Sequence, residues 1–425
     1  MARPAFSLAV FLKNLLRRLG PGVITGAADD DPSGIATYSQ AGAQQGMGLL
    51  WTVVLTWPMM VAVQSVSGRI GRVTGHGLAA NMLAVFPRQV ATGLVALLFL
   101  ANTINIGADL SAMGAAANLI GGGNRHLETA IFATVIVLAI VFIPYHRYVA
   151  VLRWLTFSLF AYVGVIFTVH IDWRAAATGA LLPRFDLTGE SYMLIVAVFG
   201  TTISPYLFFW QSSQEAEEVE DDPRAEPLID RPERARGELR RIGWETMAGM
   251  AISNLVAFFV ILTTAATLHA NGQTDVQTSE QAAAALRPIA GDAAFLLFGL
   301  GIIGTGLLAV PVLAGSTAYA MGEVRGWPIG LEHKLGEARA FYAVIAVSIL
   351  LGIAVEVSPL DPIKALVWSA VVNGVITVPI LVAMMIVASN TKRMGQFTAT
   401  RLQQALGWLT TAMMAVAAVV MFATM

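Results

Sequence analysis

Residues 25–40 read Thr-Gly-Ala-Ala-Asp-Asp-Asp-Pro-Ser-Gly-Ile-Ala-Thr-Tyr-Ser-Gln. The segment around them, from Pro21 to Met47, is otherwise apolar. Proline lacks an N–H and clashes with the preceding helical turn. Glycine favours unwound backbone. Carboxylates at membrane depth are costly and mark an ion or substrate pathway. The stretch therefore predicts a helix broken at Asp31, offering acidic oxygens to a cation. Taken alone, it is also compatible with a loop between two short helices.

Composition narrows the class. Of 425 residues, 56% are hydrophobic and 12% charged, with a mean hydropathy of +0.68. Soluble proteins carry about 25% charged residues, so an all-α integral membrane protein without a large soluble domain is expected. A net charge of −1 gives no footprint for nucleic acid. The absence of cysteine removes disulfides, thiolate metal sites and cysteine nucleophiles together. Residues 1–19 mix Phe6, Leu8, Phe11 and Leu12 with Lys13, Arg17 and Arg18. That is the pattern of a cytoplasmic amphipathic segment lying on the membrane, not of a signal peptide.

A spanning helix needs about 20 apolar residues, which predicts about eleven spans. The first five are Pro21–Gln45, Leu49–Ser67, Val90–Ile120, Thr129–Tyr145 and Val149–His170. The next three are Ser191–Ser213, Ile242–Leu268 and Ala293–Met321. The last three are Ala338–Val357, Ile363–Ser389 and Leu402–Thr424. Basic residues at Arg69, Arg72, Arg88, Arg147, Arg224–Arg241, Arg325, Lys334, Arg339, Lys392, Arg393 and Arg401 all fall on one side if the N-terminus is cytoplasmic. The mixed-charge run from Glu215 to Glu238 reads as a solvated cytoplasmic connector.

The sixth span has its own interruption, Gly200-Thr-Thr-Ile-Ser-Pro-Tyr206. By itself it reads more readily as an ordinary proline kink. Five spans separate it from the first break, as two inverted repeats of five would require. Paired interruptions in corresponding positions point to a transporter's binding site. The expected architecture is LeuT-like, with spans 1 and 6 broken. One transporter domain covers 20–425, with a first repeat at about 20–171, a second at about 190–390 and an extra helix at 402–424.

The chain resembles the natural resistance-associated macrophage protein family of metal-ion transporters. The likeness runs from Gly20-Pro21-Gly22 through Asp31-Pro32-Ser33-Gly34 to Gln40-Ala-Gly-Ala-Gln44. It continues through Gln64, Gly68–Gly75 and Asp109-Leu110 to Ile203-Ser204-Pro205-Tyr206. The family's first-span motif is Asp-Pro-Gly-Asn, so Gly34 stands at the asparagine position. Its sixth-span motif is Met-Pro-His, replaced by Ser204-Pro205-Tyr206. The third-span glutamate, three residues after Asp109, is Ala112.

Position by position, the resemblance implies metal ligands at Asp31 and at the Ala28 and Thr201 carbonyls. Gly34 and Ser204 occupy ligand positions, and Asn373 is a further candidate. Asp29, Asp30, Asp109 and Tyr206 fall to the vestibule or the proton route. Asp109 is also readable as a hydrogen-bond partner of Asn105 or Asn373. Without thioether sulfur, a site of carboxylate, hydroxyl, carbonyl and water suits Mg²⁺ or Mn²⁺, with waters filling the room left by asparagine and methionine. Related magnesium transporters have altered sites, and other altered relatives are associated with trivalent aluminium.

With Tyr206 and Ala112 at the relay positions, uptake is expected to be weakly coupled or uncoupled to protons. The alternatives are an ordinary proton-coupled Mn²⁺/Fe²⁺ symporter and a trivalent-cation carrier. An amino-acid symporter on the same scaffold is disfavoured by acids in the break. No HExxH or GxSxG constellation points to an enzyme, and no cofactor is expected beyond the metal as substrate. A monomer in a bacterial inner membrane, its partners the ion and the lipid bilayer, completes the reading.

Overall fold

The computed structural model describes residues 21–143, 148, 157–183, 188–221, 225–331, 333–356 and 361–425. Every regular element among them is helical. The amphipathic segment 1–19 lies outside the described residues, as do Arg147, Arg224 and most of the N-terminal half of the fifth predicted span.

The first span is two helices, α1 (Pro21–Asp29) and α2 (Pro32–Gln45). Its break falls where proline and three acids predict it. Asp31 is extended (φ −75°, ψ 168°), and its carboxylate caps α2 by accepting from the Gly34 N–H, the usual role of an aspartate at that position. Helices α3 (Leu50–Thr74), α4 (Leu78–Val85), α5 (Arg88–Gly121) and α6 (Arg125–Phe142) follow. The described part of the fifth span holds α7 (Phe160–Val165), and α8 (Trp173–Leu181) comes after it.

The sixth span divides in the same way, into α9 (Gly189–Thr202) and α10 (Pro205–Asp221). Pro205 cannot continue the α9 ladder. The Ile203 carbonyl freed there accepts from the Thr377 hydroxyl at 3.2 Å, so unwound backbone at membrane depth is satisfied by a neighbouring helix. The remaining long helices are α11 (Ala235–Thr267), α12 (Ala294–Arg325), α13 (Arg339–Glu356), α14 (Pro362–Ser389) and α15 (Arg401–Thr424).

Eight stretches among the described residues are long and apolar enough to cross a membrane, and Arg339–Ala354 is a shorter apolar helix. The most apolar window of Gly189–Glu220 is 94% buried, against 28% for Arg125–Phe142 and 33% for Arg401–Thr424. The broken sixth span is therefore central, while α6 and α15 form the periphery. Large apolar side chains such as Phe142, Leu350, Val419 and Phe422 face outward, as a lipid-facing belt requires.

Small residues set the closest crossings, as in membrane helix pairs generally. A Cβ on Gly26 of α1 would lie 2.3 Å from the Gly249 carbonyl carbon on α11. A Cβ on Gly200 of α9 would lie 2.0 Å from the Ala370 carbonyl oxygen on α14. These approaches hold the two broken spans against unbroken ones.

The charged run from Glu215 meets the expectation of a solvated connector only in part. Residues 229–234 are exposed, but its first part belongs to α10, and Glu215 is fully buried. Arg241 on α11 bonds Glu215 at 2.8 Å, Glu218 at 3.1 Å, Glu238 at 3.1 Å and Glu245 at 3.0 Å. Arg72 of α3 adds Glu238 at 3.0 Å. The sequence pattern shows alternating charge but not that one arginine gathers four carboxylates.

Candidate metal centre

The four broken-helix ends meet in the interior. Asp29, Asp31, Ser204, Tyr206, Thr201, Asp109 and Asn373 are each 1% exposed or less, and Asp30 is 8% exposed. The three consecutive acids nevertheless do not face one point. Ser253 Oγ of α11 lies 2.5 Å from Asp29 Oδ2 and 3.0 Å from Asp30 Oδ1, its one proton between the two acids. Asp31 turns the other way. Its Oδ1 accepts from the Ser33 hydroxyl and the Gly34 N–H, both at 2.7 Å. Its Oδ2 accepts from Asn105 Nδ2 of α5 at 3.0 Å.

Asn105 ties Asp31 to the other candidates. The same Nδ2 lies 3.4 Å from Asp109 Oδ2, and its Oδ1 accepts from Asn373 Nδ2 at 3.4 Å. Asp109 is thus a hydrogen-bonded neighbour of Asn105, one of the two readings its sequence allowed. Among the described residues, Asn373 is linked to Asp31 through Asn105.

The carbonyl and hydroxyl candidates are engaged differently from the simple expectation. Ala28 O accepts from the Tyr206 phenol at 2.9 Å. Ser204 Oγ lies 2.8 Å from Gly200 O and 2.9 Å from Thr201 O, so its proton is directed at its own helix end. Each carbonyl keeps a second lone pair, and Ser204 Oγ keeps acceptor capacity. Gly34 offers only its N–H, already on Asp31. A Cβ there would stand 3.1 Å from Thr201 Oγ1 and 3.3 Å from Tyr38 Cε2, so a larger residue at 34 needs those neighbours to give way by a few tenths of an ångström.

Among the described residues, no three His, Cys, Asp or Glu side chains converge at metal-holding spacing. What converges instead is Asp31, with Asp109 beside it across Asn105, among neutral oxygens and carboxamides. Two contributors are not singled out by motif, Asn105 as a hub and Ser253 as the acid partner. Asn105 sits four residues before Asp109, on the same helical face. Ser253 sits four residues after Gly249, so the α11 face toward α1 is small at both positions. Those spacings were the available signals.

Comparison with known proteins places this geometry. Curated relatives carry the name divalent metal cation transporter MntH. The one from Klebsiella pneumoniae is 29% identical, over 92% of this chain and 90% of its own. That from Yersinia pestis is 28% identical, over 93% and 91%. Among solved structures, the Eremococcus coleocola manganese transporter superposes with a TM-score of 0.75 at 17% identity, over 98% of this chain and 87% of its own. Mhp1, a nucleobase-cation-symport-1 family transporter in a closed conformation, gives 0.60 at 15%, over 95% and 90%. The fold is therefore the LeuT-like one that the two breaks imply. Residues 22–424 match the family described as natural resistance-associated macrophage protein-like, a span that contains both breaks and every residue of the buried cluster, and the chain belongs to that family, Nramp.

Proposed function

We propose that this protein is a secondary transporter that imports divalent metal cations, Mg²⁺ and Mn²⁺, with weak or no coupling to protons. The ion binds at the junction of α1–α2 and α9–α10. Asp31 supplies the charge, and the Ala28 and Thr201 carbonyls, Ser204 and Asn373 supply neutral donors. The observation that carries this reading is the buried position of Asp31 between two broken helices, in a setting of oxygen and amide groups. Oxygen ligands suit hard dications, and Mg²⁺ binds through few protein carboxylates while keeping waters. The names of the relatives support divalent cation transport, and the manganese transporter supports Mn²⁺ as part of the cargo.

Proton coupling is weak in this reading because Ala112 cannot titrate and the Tyr206 phenol is engaged by Ala28 O. A potential of 100 mV supplies about 2.3 kcal/mol per charge, enough to draw a dication inward. The unit is a monomer of two repeats in a bacterial inner membrane, N-terminus cytoplasmic. Asp29 and Asp30 line the vestibule side, held by Ser253.

The test is uptake into proteoliposomes loaded with a Mg²⁺ dye or, separately, a Mn²⁺-quenched dye. Entry of both ions, abolished in Asp31→Ala, supports the reading. Entry of Mn²⁺ alone against excess Mg²⁺ would overturn the hard-ligand assignment.

A further inference from the structure

We propose that Asn105 is itself an ion ligand, its carboxamide oxygen supplying from the third span what Gly34 lacks in the first. This rests on the reading of Asp31 as the carboxylate of the transported ion.

Asn105 is fully buried in α5. A buried amide without partners is costly, yet among the described residues its bonds go to no backbone group. They go to Asp31 Oδ2 at 3.0 Å, Asp109 Oδ2 at 3.4 Å and Asn373 at 3.4 Å. Asn102, three residues earlier, behaves as a structural asparagine: its Nδ2 donates to Leu313 O at 2.9 Å, Ser316 at 3.0 Å and Thr317 at 2.8 Å on α12.

An amide presents a donor at one end and an acceptor at the other. Asn105 now turns its donor to Asp31 Oδ2, the oxygen a cation would seek. A cation on that oxygen repels the N–H and attracts the C=O. A half-turn about the terminal side-chain bond exchanges them without moving α5. The Nδ2 then faces Asn373, whose own Oδ1 is buried with no hydrogen-bond partner among the described residues. A matching half-turn of Asn373 brings that oxygen round to accept. The two amides thus reverse as a pair, and Asn105 Oδ1 joins Asp31 on the ion. An amide oxygen is a hard donor, in keeping with Mg²⁺ and Mn²⁺.

The chain has no cysteine, so Asn105→Cys introduces a single thiol, a soft ligand that favours Cd²⁺. Mn²⁺ uptake by the full chain in proteoliposomes is measured with Cd²⁺ as competitor. The expected result is at least tenfold stronger Cd²⁺ inhibition in Asn105→Cys than in the wild type, with Asn102→Cys unchanged. Equal Cd²⁺ sensitivity of the two cysteine variants overturns the proposal. Asp31→Ala runs in parallel: full uptake there overturns the site reading itself, whereas lost uptake with Cd²⁺-insensitive Asn105→Cys overturns the Asn105 ligand alone. Should Asn105→Cys fail to assemble, Asn105→Asp decides: at least threefold lower half-saturating Mn²⁺ supports the ligand role, and an unchanged value overturns it.

Discussion

The phenol of Tyr206 donates to the carbonyl of Ala28 across 2.9 Å, joining the end of α1 to the start of α10. The two residues are 178 positions apart in the chain. The bond fastens the two broken spans at the carbonyl proposed to meet the ion. Tyr206→Phe removes the donor and keeps the ring. It should cost about 1 kcal/mol of stability, the net worth of a typical hydrogen bond, and free a lone pair on Ala28 O. The expected outcome is a lower unfolding midpoint in detergent together with lower half-saturating Mn²⁺. Weaker Mn²⁺ affinity would show instead that the phenol helps to hold the ion.

Ser204 keeps its proton on its own helix end, so a thioether in its place removes no bond to another element. Ser204→Met should therefore raise discrimination for Mn²⁺ over Mg²⁺ by about tenfold, equivalent to about 1.4 kcal/mol. Competition of Mg²⁺ against Mn²⁺ uptake measures it directly. Unchanged competition would mean that residue 204 does not touch the ion.

Arg241 is the charge partner of a fully buried glutamate. Arg241→Ala leaves Glu215 buried beside other carboxylates and should destabilise by about 3 kcal/mol, as expected when one half of a buried pair is removed. Adding Glu215→Gln should recover much of the loss. Thermal unfolding of the single and double variants in detergent tests both statements, and no recovery would place the cost elsewhere in the network.

Gly200 has no room for a side chain where α9 crosses α14. Gly200→Ala should cost roughly 1–3 kcal/mol through overpacking. Because the Ala370 carbonyl it would strike is helix backbone, relaxation must separate the helices. A drop in unfolding temperature with retained fold is expected, and a neutral effect would contradict the close crossing.

Uncoupled transport has its own signature. Acidifying one side of Mn²⁺-transporting vesicles should produce no proton entry beyond that of Asp31→Ala vesicles. Stoichiometric, Mn²⁺-dependent proton entry would instead give Asp109 or Tyr206 a relay role.

The breaks were legible because proline and glycine act locally: Pro32 and Pro205 interrupt their helices whatever surrounds them. The LeuT-like arrangement followed from the positions of those two breaks along the hydropathy pattern. The site was legible only where it is local to the breaks. Asn105 and Ser253 come from other helices, and a distant partner leaves at most a weak trace in spacing. That Asp29 and Asp30 part from Asp31 follows from helical geometry in the sequence, but that they part toward Ser253 of α11 needed coordinates. The approach of Thr201 to Gly34 likewise depends on packing between halves of the chain.

The close approach of Gly26 to Gly249, extended by Ser253 bonding both Asp29 and Asp30, makes α1 and α11 one mechanical body. With neither backbone shielded by side chains at the crossing, α1 has no slack with which to swing as an independent lever. Any displacement of α1 must then either carry α11 along or part the glycine contact. In the second case the Ser253 contacts to Asp29 and Asp30 part with it, and two buried acids lose their partner.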